Sequence, residues 1–331
     1  MPFAALALLC VLLIGYAAHR ASLCNVRAVA EVINTGRAPM LWGLLQAVLW
    51  MATLTGVLVL LFGVVPQPAT ARMPIAWALA GGGLFGLGAA INGGCSLSTL
   101  HRLADGELGM LATLAGFVLG VFAWLTIGMG GSMVFTPVAS PWLRWPDLAP
   151  WLLVALLVWA TLRGRSLWQL AKKSGRTSLR DWLIAPAYHV SVAAAVMGLA
   201  AGLLYATQGA WSYTNYIRNE VQHTLGDTHA PTAWHGVLLS GLVMGMAISA
   251  LQRRSLRIRA PEKLAAWLRH SAGGALMGAG AAMIPGGNDT LLLSGLPALT
   301  ATAVGAYGFM LIGISCGLWA VGRLRRSMKG S

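Results

Sequence analysis

The chain has 331 residues, of which 57% are hydrophobic and only 10% charged, and its mean hydropathy is +0.70. So little polar surface excludes a water-soluble globule of this size and points to an all-α, polytopic integral membrane protein. The net charge of +14 is divided among short loops between apolar runs, so it calls for no nucleic-acid partner.

An apolar run of roughly 20 residues crosses a bilayer as a helix, and nine crossings are predicted. The first, about 2–19, holds Cys10 in mid-run, where a small core hydrophobe is the simplest reading, and it lacks the basic region of a cleavable signal peptide. The segment His19-Arg20-Ala21-Ser22-Leu23-Cys24-Asn25-Val26-Arg27 then sets a thiol, an amide and two guanidinium groups within a few residues. Such a group suits an anion entry or exit station, while Arg20 and Arg37 read as positive-inside anchors. Further crossings follow at 41–65, 74–101, 108–131, 148–162, 183–207, 233–251, 268–293 and 297–321; those at 74–101 and 268–293 are broken.

Between them, 163–181 and 252–270 read as amphipathic or loop connectors whose charge suits anionic lipid headgroups. The 208–231 segment, with Trp211, Tyr213 and Tyr216, reads as an interfacial aromatic belt. His223, His229 and His235 are spaced by six, not by the three or four that puts ligands on one helical face, so no metal site is expected. Cys316, near the end of the last crossing, reads first as packing, with a place beside a substrate path as the alternative. Four scattered cysteines make neither a disulfide framework nor a zinc site. The whole chain is expected to be one membrane domain, with a first half at 1–131, connector helices at 132–232 and a second half at 233–331.

The broken crossings repeat each other. Ala80-Gly81-Gly82, Gly86, Gly88-Ala89-Ala90 and Gly93-Gly94-Cys95 are echoed by Ala272-Gly273-Gly274, Gly278, Gly280-Ala281-Ala282 and Gly286-Gly287-Asn288. The copies are the third and eighth crossings, an odd five positions apart, so they are expected to insert in opposite directions and meet near the midplane as an inverted repeat. Gly82 with Gly86, and Gly274 with Gly278, are small-xxx-small pairs that permit close helix approach. With the N-terminus outside and the C-terminus inside, 20 of the 23 Lys and Arg face inward, leaving only Arg72, Arg144 and Arg218 outside, which matches the positive-inside rule.

Glycines that end a helix at membrane depth release backbone N–H groups, which are tolerated only where they line a cavity or meet a ligand. Gly93, Gly94, Gly286 and Gly287 are therefore expected to shape a constriction. Ser96 and Ser98 in one copy, and Asn288, Asp289 and Thr290 in the other, are able to cap the half-helix that follows. Half-helix N-termini suit a small anion, and Cys95 adds a weak S–H donor without a carboxylate's repulsion. Asp289 fits less simply. It is read as protonated, paired with a base, bound to a coupling cation or proton, or an N-cap. Phosphate-binding loops, dinucleotide fingerprints and Ser-His-Asp patterns are absent from the sequence, so neither an enzyme nor a cofactor is expected.

Ile91-Asn92-Gly93-Gly94-Cys95-Ser96 with Arg102…Gly106-Glu107-Leu108-Gly109, together with Arg20…Cys24…Arg27, resembles the YeeE/YedE sulfur-transport family of bacterial inner-membrane proteins, over essentially the whole chain. The resemblance implies thiosulfate uptake through an hourglass-shaped helical bundle, in which cysteines pass the ion along by S–H hydrogen bonds. Cys24 matches the family's first cysteine and Cys95 its second. The third has no match: Asn288 stands in its place, and Cys316 lies further along. Asn288 is able to donate N–H bonds to an oxyanion, so a sulfur anion remains the expected substrate, with related sulfur or selenium anions as alternatives. A different class of function would be a non-transporting membrane subunit that docks a cytoplasmic sulfur-carrier protein on its basic inner face.

Overall fold

The computed structural model describes residues 2–64, 70–72, 74–127, 136–138, 140–175, 181, 185, 187–226, 232–284 and 286–327. His229 and the ends of several predicted segments, such as 128–131 and 176–180, lie outside them. The fold is helical apart from one short ribbon. In chain order come α1 (Pro2–Ala21), α2 (Asn25–Thr35), α3 (Pro39–Phe62), β1 (Thr70–Arg72), α4 (Ile75–Asn92), α5 (Ser96–Ala104) and α6 (Gly109–Thr126). They are followed by β2 (Thr136–Val138), α7 (Pro141–Arg144), α8 (Ala149–Lys173), α9 (Val190–Gln208), α10 (Tyr213–Thr224) and α11 (Ala233–Arg253). Last are α12 (Leu264–Met283), the single turn α13 (Asn288–Thr290) running into a π-turn at Leu291–Gly295, and α14 (Ala301–Ser327). Strands β1 and β2 pair antiparallel, Thr70 opposite Val138, and are the one departure from an all-α chain among the described residues.

Seven helical stretches among the described residues are long and apolar enough to cross a membrane, so the chain is a multi-pass membrane protein. Helices α8 and α12 are not among the seven. The first carries Arg163, Arg165, Lys172 and Lys173 along its second half, and the second starts beside Lys263 and carries Arg269. Two of the seven, Phe3–Thr35 and Val190–Thr224, take in the short helices α2 and α10. Of the 208–231 segment, Tyr213–Thr224 is helical, and 163–173 continues α8 rather than forming a separate connector.

Helices pack in matched pairs. Helix α4 lies between α14 and α12, α12 between α4 and α6, α9 between α3 and α1, and α1 between α9 and α11. The two glycine pairs do what their spacing promised. A side chain on Gly82 or Gly86 would strike the backbone carbonyls of Ala306 and Met310 in α14, and one on Gly274 or Gly278 those of Thr113 and Phe117 in α6. Backbone-to-backbone approach of this kind replaces the hydrophobic drive that lipid does not supply.

Both predicted breaks are present. Helix α4 ends because Gly93 adopts φ +78°, with its N–H on Ala89 O and Ala90 O and the N–H of Gly94 on Ala89 O, a glycine-terminated turn that closes the last carbonyls. Helix α12 ends at Met283, and Gly286, at φ +96°, carries its N–H back to Ala281 O before α13 begins.

Candidate functional site

Four helix N-termini converge in the interior. Cys24 precedes α2, Cys95 precedes α5, Ser212 precedes α10 and Gly287 precedes α13. Each N-terminus leaves backbone N–H groups without intrahelical partners and carries a partial positive charge. Together they build a site whose field favours an anion.

Side chains tie these ends to one another. The Cys24 and Cys95 thiols are hydrogen-bond partners, and Cys24 Sγ also donates to Ser98 Oγ at 3.3 Å. Each sulfur faces backbone amides, Cys24 those of Cys95 and Arg27, Cys95 those of Ser98 and Asn25. Ser96 Oγ donates to Asn288 Oδ1 and is bonded to the Tyr213 hydroxyl, so the two broken crossings meet directly. Tyr307 of α14 donates to Asn25 Oδ1 at 2.8 Å. Cys24, Cys95, Ser96 and Asn288 therefore form one continuous polar line, all of them buried.

Two donors on this line have no acceptor. Asn25 and Asn288 are each 1% exposed, and the Nδ2 of both lacks a hydrogen-bond partner among the described residues. The hydroxyl donated by Ser96 fixes the Asn288 amide so that its NH2 is the free end. Leaving a buried donor unpaired costs about 1–3 kcal/mol, which an acceptor-rich guest would recover.

The caps differ from expectation. Neither Ser96 nor Asn288 occupies an N-cap position; Cys95 and Gly287 do, without a side-chain cap bond. Ser98 and Thr99 instead donate to Cys95 O, at 2.9 and 3.1 Å. Asp289, 4% exposed, serves the facing helix. It accepts from Thr214 Oγ1 and from Thr214 N at 3.3 Å, while Thr214 Oγ1 accepts from Gly287 N at 2.8 Å and Ser212 Oγ meets Thr290 Oγ1 at 2.5 Å. The carboxylate thus completes the first turn of α10 and is turned away from the thiols by these bonds.

Three of the remaining expected site residues fall outside the cluster. Arg27 is exposed on α2 and reaches it only through its backbone, Cys316 is exposed on α14, and Gly93 is exposed at the elbow, whereas Gly94, Gly286 and Gly287 are buried in it. Arg20 is not a surface anchor. It is 1% exposed and donates to Tyr16 Oη at 2.8 Å, to Gln252 Oε1 at 2.5 Å and to the carbonyl of Ala185. Beside it His19 bridges Ser249 Oγ at 2.8 Å and Asp105 Oδ1 at 3.0 Å, with the His101 ring edge-on at 6.1 Å and Arg253 donating to His19 O. Burial alone would raise the pKa of Asp105, but hydrogen bonds from His19 and Ser255 outweigh it and hold the carboxyl below its usual value.

Residues 212–214 were the chief omission of sequence reading. Tyr213 is 3% exposed and belongs to the core, not to an interfacial belt. The signal was present: Gly209 followed by Ser212 is a helix stop and an N-cap, and Ser212 accepts from Asn215 N.

The sequence profile described as sulphur transport matches residues 20–316 of this chain. A protein named thiosulfate transporter TsuA from Spirochaeta thermophila is 27% identical over 251 residues, covering 70% of this chain and 74% of the relative. Another protein of that name, from Escherichia coli K12, is 25% identical over 345 residues, covering 95% and 93%.

Proposed function

Since this chain belongs to the sulphur transport family, we propose that it imports a small sulfur-containing anion, most simply thiosulfate, across a bacterial inner membrane, without chemical change. The observation that carries the proposal is the pair of unmatched Asn25 and Asn288 amide donors on a line that begins with two thiols, where four helix N-termini meet. The names of the two relatives support the same substrate.

Thiosulfate is asymmetric, with a soft terminal sulfur and three hard oxygens. Cys24 and Cys95 are matched to the sulfur end by weak S–H donation, and Asn288, Ser96 and the backbone amides to the oxygen end. The ion advances as hydrogen bonds are exchanged along the line, so no step leaves it unsolvated. Asn288 substitutes an amide for the third thiol of the family pattern, which changes the donor from soft to hard at one end.

The architecture we propose is an inverted repeat of α1–α6 and α9–α14, longer than the halves read from sequence and with α8 outside it. Its support is that α4 packs on α14 as α12 packs on α6, that α1 packs on α11 as α9 packs on α3, and that α2 and α10 occupy corresponding places. Counting α8 and α12 gives nine crossings, N-terminus outside and C-terminus inside, with the basic end in the cytoplasm.

Uptake of labelled thiosulfate by cells stripped of their own importers tests the proposal. Wild-type protein restores uptake and Cys95→Ala abolishes it; full uptake by Cys95→Ala refutes the route. Loss of function on neutralising Arg253, Arg254, Arg257 and Arg259 with Cys95→Ala intact would instead favour a docking role.

A further inference from the structure

Arg102 takes no part in the cluster just described, yet it lies on the half-helix that Cys95 begins. Its guanidinium runs back along α5 toward the elbow: a side chain on Gly94 would meet Arg102 Nη1 at 3.5 Å. Two of its nitrogens are committed, with Nε and Nη2 donating to Glu107 Oε2 at 2.9 and 2.6 Å. Glu107 is itself fixed, its N–H on Arg102 O at 3.0 Å and its backbone bridged to Arg259. The fork is therefore held by one edge, and Nη1 is left facing the break.

The elbow is open on that side. Gly93 is exposed, and a side chain there would meet nothing within 4 Å. Beside this opening the guanidinium offers a full positive charge, where the thiol–asparagine line offers only neutral donors and helix termini.

Resting on the transport reading above, we propose that Arg102 Nη1 is a second station for the oxyanion end of the substrate, one step from the thiols on the basic side, and that Glu107 sets how long the anion stays. A free guanidinium grips an oxyanion through two parallel bonds. With Glu107 occupying the Nε–Nη2 edge and offsetting much of the positive charge, only the Nη1 side is left for the anion, which is drawn in and then let go. Sites on a conduction path must bind well enough to be entered and weakly enough to be left.

The experiment measures initial uptake of labelled thiosulfate into proteoliposomes, and its equilibrium binding to purified protein, for wild type, Arg102→Gln, Arg102→Lys, Glu107→Gln and Cys95→Ala. Arg102→Gln is expected to lower the maximal rate about tenfold, the size of one lost charge-assisted bond, with the half-saturating concentration unchanged. Arg102→Lys restores much of that rate because it keeps the charge. Glu107→Gln lowers the rate while tightening binding several-fold, a split in direction that a purely structural ion pair does not produce. Wild-type kinetics in Arg102→Gln, or weaker binding in Glu107→Gln, overturns the station while leaving the transport reading intact if Cys95→Ala is dead. A wild-type protein that takes up no thiosulfate overturns both.

Discussion

The two breaks use one backbone device and different chemistry. At the first, a left-handed glycine ends α4, the next helix starts on a cysteine, and the elbow is open at Gly93. At the second, Gly286 is buried, the new turn starts on a glycine, and it is stitched to α10 through Asp289, Thr214, Thr290 and Ser212. The first break is soft and sulfur-lined, exposed at Gly93; the second is oxygen-rich and closed, with the buried Asn288 NH2 as an unpaired donor. A glycine elbow thus fixes where amides converge, and the residues after it decide what kind of atom is met.

That contrast can be broken most severely at the first break. Gly94→Val is expected to abolish uptake, because any side chain there collides with Ser98 Oγ, the partner of Cys24. Next in size, Asn288→Ala should reduce thiosulfate uptake about tenfold by removing the free donor, whereas Asn288→Cys, which restores a thiol, should keep transport but shift preference away from fully oxygenated anions; competition by sulfate in the uptake assay reads the shift. At the closed break, Asp289→Asn should act on stability more than on selectivity. Loss of this cap and its relay to Gly287 is expected to destabilise the protein by about 1–3 kcal/mol, measured as a lower unfolding temperature in detergent, with the ranking of substrates unchanged.

A smaller effect concerns pH. Because the folded Asp105 carboxyl titrates below its usual value, the unfolded chain binds the extra proton first. The stabilisation is fully present above the ordinary carboxylate range and fades as pH falls through the folded value. Thermal unfolding between pH 7 and pH 3 should show this loss, and Asp105→Asn should flatten it. Smallest of all, Cys316→Ser should leave uptake unchanged, since that thiol is exposed on α14, away from the line.

Much of this was legible in the sequence. Adjacent glycines in long apolar runs marked both elbows, the doubled spacing marked the matched glycine faces, and Cys95 and Asn288 stand directly after those elbows, while Cys24 stood out by its polar neighbours after the first crossing and by the family resemblance. Illegible were the partners that arrive from far along the chain. Arg20 is a basic residue at a membrane boundary, and nothing local says that Tyr16, Gln252 and Ala185 bury it. Asp289 looks like a cap for its own helix, yet it completes another helix 75 positions away. Ser212, Tyr213 and Thr214 were masked by the aromatic residues around them, which suit a headgroup belt as well as a core.

Asn92 has a consequence of another sort. Its carboxamide is saturated: Nδ2 donates to Gly94 O at 3.0 Å and Thr99 Oγ1 at 3.2 Å, and Oδ1 accepts from Thr113 Oγ1 and meets His270 Nδ1, both at 2.8 Å. One planar group therefore rivets the elbow of α4 to α6 and to α12, the helix that leads into the other break. The position of the first elbow is therefore set by two other helices as well as by its own glycine.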